Sequence, residues 1–157
     1  MMRIKYFCMA AFIFVGLLGC SQNDSNESEL ALIKTTNPSP VVIENNKENK
    51  LDLVESIKKD IESIKELYDV AIVKGEEDTL VAYKVKHLQR FHMKKIEKKM
   101  NDMLEKKYPD ENFTVSSDYK IFLEAVKLNE KMEDPDYPKK KANKRLKEII
   151  KLKNEMA

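Results

Sequence analysis

The stretch LYDVAIVKGEEDTLVAYKV, residues 67–85, decides how the rest of the chain is read. Two apolar runs flank the polar step Lys74-Gly75-Glu76-Glu77-Asp78. On the amino side, Val54, Ile57, Ile61, Ile64, Tyr68 and Ala71 recur at alternating spacings of 3 and 4, thickened by Leu53, Leu67 and Ile72. That period is the apolar stripe of a helix. It predicts one helix over about 47–74, with Gly75 as a left-handed cap just past its end. On the carboxyl side, Glu76, Glu77 and Asp78 suit a first helical turn, where the dipole favours negative charge. Val81, Val85, Leu88, His92, Ile96, Met100 and Met103, supported by Phe91 and Leu104, carry a similar stripe towards Pro109. A connection of a few residues around Gly75 makes these two long helices antiparallel neighbours.

Working outward, Asp110 to Val115 reads as a loop, after which Ser116 or Ser117 can cap a third helix. Tyr119, Phe122, Leu123, Val126 and Met132 form its apolar face. Asp134-Pro135-Asp136-Tyr137-Pro138 breaks the chain, and Pro138 is placed to open a fourth helix. Ala142, Leu146, Ile149, Ile150 and Met156 are expected to face inward from it. The predicted fold class is all-α: an antiparallel helical hairpin or small bundle of about four helices over residues 47–157, after a flexible amino-terminal stalk.

Charge sorts by segment. Residues 44–78 hold 11 acids and 6 bases, and residues 84–107 hold 9 bases and 3 acids. Residues 110–136 hold 8 acids and 3 bases, and residues 139–153 hold 8 bases and 1 acid. Segments of alternating sign suit packed neighbours, although each exposed pair is worth only about 0.2–1 kcal/mol. Glycine limits the possible chemistry. Only Gly16, Gly19 and Gly75 occur in 157 residues, too few for a phosphate-cradling loop or a dinucleotide fingerprint.

At the amino terminus, Arg3 and Lys5 precede an uncharged run from Tyr6 to Leu18. Thirteen helical residues span about 20 Å, short of the roughly 30 Å hydrocarbon core. The run therefore reads as an export signal. It ends in Leu17-Leu18-Gly19-Cys20, which resembles the lipobox of bacterial lipoproteins. The resemblance covers the first 20 residues. It implies cleavage after Gly19, a diacylglyceryl thioether on Cys20 and often an N-acyl chain such as palmitate. Residues 1–19 would then be the signal peptide and residues 20–46 a lipidated tether. Asn, Ser, Asp, Glu, Lys and two prolines in that tether bury too little apolar surface to order it. Leu30 to Ile33 and Val41 to Ile43 are short apolar patches, open to reading as strands or as pieces that dock on the helical body or a partner, with plain linker the favoured reading. The resemblance places the protein in the bacterial cell envelope. Ser21, in place of a retention-type Asp, favours the outer membrane of a Gram-negative cell.

No residue set points to catalysis. His87 and His92 fall about 140° apart on a helix, so they do not share a metal as i,i+4 pairs do. No metal or cofactor is expected. The strongest surface signal is the basic tract Lys139, Lys140, Lys141, Lys144, Arg145, Lys147 and Lys151, a candidate patch for an anionic partner. Without interleaved aromatic residues it does not suggest nucleic acid. The functional expectation is a membrane-anchored envelope lipoprotein with a non-catalytic role: an accessory subunit, an exclusion or immunity-type protein, or a surface-interaction protein. Its partners would be the membrane, through Cys20, and an envelope protein or a second copy. One alternative is a self-associating coiled coil along the stripe of residues 54–71. Another is an enzyme with a pocket lined by Tyr68, Tyr83, His92 or Glu97.

Overall fold

The computed structural model describes residues 36–43 and 47–156, and the signal run, Cys20 and the tether as far as residue 35 lie outside them. The body is built from β1 (Val41–Val42), α1 (Lys47–Glu62), β2 (Leu67–Lys74), β3 (Asp78–Val85), a 3-10 helix (His87–His92), α2 (Met93–Lys107), β4 (Asn112–Ser116), α3 (Tyr119–Met132) and α4 (Lys139–Glu155).

The strands form one mixed sheet in the order β1-β2-β3-β4. The pair β2/β3 is an antiparallel hairpin, and each edge strand joins it in parallel. The all-α expectation, with its helical bundle and its coiled coil, is therefore corrected to an α/β fold. The cause is burial of the sheet on both faces. Val70, Ile72, Val81, Tyr83 and Val85 point to one face, and Ala71, Val73, Leu80 and Ala82 to the other. Both parities are apolar, so the period-2 alternation of a half-buried strand disappears. What remains is a continuous run onto which a 3-4 spacing can be fitted. The expected first helix ends at Glu62, and the second is a strand, a 3-10 helix and α2 in succession.

Helices cover both faces. α1 contributes Val54, Ile57 and Ile61, and α2 contributes Ile96, Met100 and Leu104, to the first core layer. α3 contributes Ile121, Phe122, Ala125 and Leu128, and α4 contributes Ala142, Leu146 and Ile149, to the second. Charge sorting recurs as pairs within each layer. Lys107 meets Asp60 at 2.6 Å and Lys99 meets Glu66 at 3.7 Å between α2 and the α1 segment. Arg145 of α4 pairs with Glu124 of α3. The crossovers β1-α1-β2 and β3-α2-β4 step the same way across the sheet on one face, but start from antiparallel strands. They have opposite hands, so one of them runs against the usual right-handed rule.

Local chemistry sets the boundaries. Ser63 Oγ donates to the Asp60 carbonyl at 2.6 Å, competing with the backbone where α1 ends. Gly75 does not adopt a positive φ, so it is not the left-handed cap expected. It is needed for close approach: a Cβ there would sit 2.6 Å from Leu146 Cδ2 and 3.1 Å from Asn143 Oδ1. Asp118, rather than either serine before it, caps α3 by accepting from Lys120 N and Ile121 N. The loop expected at 110–115 includes β4, and Met156, expected inside, is exposed. Residues 36–43, assigned to the tether by composition, pack on the sheet; Val41 and Val42 pair with Val73 and Lys74 and Ile43 is fully buried.

Candidate functional site

The sheet ends at which β3 and β4 finish holds the densest polar chemistry. Asp69 and Lys84 are direct cross-strand partners in the hairpin. Their side chains are 0% and 6% exposed and meet at 3.1 Å. Asp69 also accepts from Thr36 N at 2.9 Å, Thr36 Oγ1 at 3.1 Å and Asn37 N at 3.1 Å. Asn37 takes a left-handed φ of 39°, a conformation that Asn tolerates better than most residues. Lys58 Nζ, from α1, donates to the Pro38 carbonyl, and Asn129 Nδ2, from α3, donates to the Ser39 carbonyl, each at 3.0 Å. The entering chain is thus gripped from the sheet and from a helix in each layer. Lys84 Nζ lies 4.5 Å from the Phe122 ring centre and 5.1 Å from that of Tyr68. Those rings stabilise the cation where water does not.

Tyr68 sits at a register shift between Leu67 and Asp69. A bulge of this kind re-aims a side chain. Beside it is a cleft of about 240 Å³ lined by Asn37, Glu62, Leu67, Tyr68, Asp69 and Val70. Burial and the Asp69 charge raise the Tyr68 pKa, and Arg90 offsets part of that shift. Of the two acids that line the cleft, Asp69 is committed to holding the chain together, with donors on both carboxylate oxygens and Lys84 paired to it, and Glu62 lies 3.7 Å from Lys58.

Of Tyr68, Tyr83, His92 and Glu97, only Tyr68 lines the cleft. Tyr83 is fully buried in the first core layer. Its hydroxyl makes no hydrogen bond of normal geometry, although Ser117 is near. Burial pushes its pKa up to about 12; Ser117 offsets part of the shift and Glu97 adds to it. His92, expected on the apolar stripe, is exposed with His87 on the 3-10 helix. Among the described residues no group of three or more His, Cys, Asp or Glu could hold a metal ion.

The basic tract falls on α4. Lys140, Lys141, Lys144, Lys147 and Lys151 are exposed, while Lys139 and Arg145 are half-buried. Several are committed to neighbours: Arg145 to Glu124 and Glu148, Lys147 to Glu77 at 3.3 Å, and Lys151 to Glu155 at 3.7 Å. Lys141 lies 5.6 Å from the Tyr137 ring centre. The tract is partly a solvated face that complements acidic neighbours.

Sequence reasoning missed the segment 86–95, KHLQRFHMKK. Spacing places Leu88 and Phe91 on a helical stripe, yet they are 80% and 92% exposed. No residue of the 3-10 helix is buried. The available signal was the density of cations in an acid-free stretch. The comparisons supply no further guide: no family model, curated protein or solved structure matches the chain.

Proposed function

We propose that the chain is an acyl-anchored protein of the bacterial cell envelope, moored through a lipid on Cys20. Its α/β body has a binding or structural role there and is not a catalyst. The observation that carries this reading is Leu17-Leu18-Gly19-Cys20 at the end of an uncharged run too short to span a bilayer. The geometry of the body adds support. Asp69, one of the two acids lining the cleft, serves with its partner Lys84 as a latch for the entering chain. Thr36, the first latched residue, is separated from Cys20 by fifteen residues. Fully extended, such a connection spans about 50 Å, so an anchored body stays near the membrane surface. Ser21 favours the outer membrane in a cell that has one. An envelope protein is the proposed partner. The intermolecular coiled coil along residues 54–71 is not available as an alternative: Val54, Ile57 and Ile61 pack against the sheet, and Ala71 lies within β2.

Mass spectrometry of the amino terminus of the native product tests the anchor. The expected result is a chain beginning at an acylated Cys20, with Cys20→Ala releasing the protein from membranes. A native product with an unmodified Cys20, or one still beginning at Met1, contradicts it.

A further inference from the structure

The segment between β3 and α2 is the most exposed apolar feature of the body. Leu88 is 80% and Phe91 92% exposed, the highest values among its large apolar residues. They ride on a 3-10 helix with no buried residue. Ordinary folding does not explain them, since they contribute nothing to either core layer. The charges of their own segment are one-signed. Residues 86–95 hold Lys86, Arg90, Lys94 and Lys95, two histidines and no acid. The four cations are exposed. α2 then begins without an acidic residue in its first turn and without a side-chain cap, so its dipole adds to the positive field.

An exposed apolar pair in a segment that also exposes four cations and holds no acid fits one kind of surface: a bilayer rich in anionic headgroups. The cations face phosphates while the apolar side chains enter the interface. A pocket-forming protein partner fits less well, because four exposed cations accompany the apolar pair and no acidic residue is present within the segment to set a register. We propose that residues 86–95 form a second membrane contact, with Leu88 and Phe91 inserting among anionic lipid headgroups. This deepens the envelope reading and rests on it for the supply of membrane. The short connection to Cys20 would make the contact intramolecular and raise its effective concentration. Two or three acyl chains on Cys20 already give stable anchoring, so such a contact chiefly sets the orientation of the body. Each basic residue near an anionic surface favours binding by about five-fold.

The chain contains no Trp, so Phe91→Trp creates a single reporter at an exposed site. The full-length product is purified from membranes and reconstituted in vesicles of phosphatidylcholine alone or with one third phosphatidylglycerol. The expected result is a blue-shifted emission, quenched by brominated lipid, in the anionic vesicles only. Adding Lys86→Gln, Arg90→Gln, Lys94→Gln and Lys95→Gln should return the emission to that of exposed Trp. These positions are exposed, and circular dichroism checks that each variant keeps its fold. Solvent-like, unquenched emission in anionic vesicles overturns the proposal. So does a blue shift that grows with protein concentration without lipid, which would assign the tip to a second copy. Mass spectrometry of the same sample reads the acyl group separately. A product without it is mixed with the same vesicles and read in the same way, so failure of the anchor and failure of the loop are distinct.

Discussion

Two neighbouring regions at one end of the sheet follow opposite rules. In the latch, Asp69 and Lys84 are buried, paired at 3.1 Å, and Asp69 holds Thr36 and Asn37. In the projection, only a few residues further along the chain from Lys84, Leu88 and Phe91 are among the most exposed side chains of the body. The two are also tied: Lys86 N donates to the Glu66 carbonyl at 2.9 Å, fixing the base of the projection beside the start of β2. The contrast separates stability from interaction. Removing a partner inside the latch leaves a buried charge, whereas truncating Leu88 or Phe91 removes side chains that belong to neither core layer.

The largest expected effect is therefore Asp69→Ala. It removes the carboxylate that pairs with the buried Lys84 cation and frees the amide groups of Thr36 and Asn37. A loss of about 3–5 kcal/mol is expected, read by urea denaturation. A change below about 1 kcal/mol would erase the distinction between the two regions.

Alkaline pH sharpens the contrast without mutation. The folded-state pKa of Tyr83 is raised from 10.0 to about 12. Its neutral form is favoured by folding, so this contribution is fully present below pH 10 and is lost as pH rises from 10 through 12. Two pH units correspond to about 3 kcal/mol. Tyr108, whose hydroxyl donates to Asp60 at 2.7 Å, is also raised to about 12 and adds to the same loss. Tyr83→Phe should flatten part of the decline in denaturation midpoint over that range, and an unchanged decline would remove Tyr83 from the account.

At the opposite end of the sheet, Gly75→Ala should lower stability by about 1–2 kcal/mol through overpacking against Leu146 and Asn143. Thermal melts would show it, and a stabilised variant would mean that α4 yields freely. The smallest effect is expected in the projection. Phe91→Ser should move stability by less than about 0.5 kcal/mol in either direction; a larger loss in denaturant titration would place Phe91 in a core.

Legibility in the sequence followed the sidedness of burial. Ile57 and Ile61, Met100 and Leu104, and Ala142, Leu146 and Ile149 lie on helices covered on one side, and their 3-4 spacing was read correctly. The strands Leu67–Lys74 and Asp78–Val85 are covered on both sides and carry no alternation. Their signal lay in β-branched Val70, Ile72, Val73 and Val81 and in the polar step at Gly75 between two short runs. Without the hairpin, Asp69 and Lys84 could not be recognised as cross-strand partners, so the latch was invisible. The basic tract on α4 was legible because charge alone defined it. The exposure of Leu88 and Phe91 was not, because an apolar residue is assigned to a core by default. Cys20 lies outside the described residues, and its role rests on the motif.

Native-state hydrogen exchange, run on the protein without lipid, compares the two regions most directly. The amides of Thr36 and Asn37 should exchange only with unfolding of the sheet strands Val70–Val73 and Leu80–Lys84, and that of Gln89 should exchange rapidly by local opening. Fast exchange at Thr36 and Asn37, or strong protection at Gln89, would contradict the division between a latch that holds the body together and a tip left free to bind.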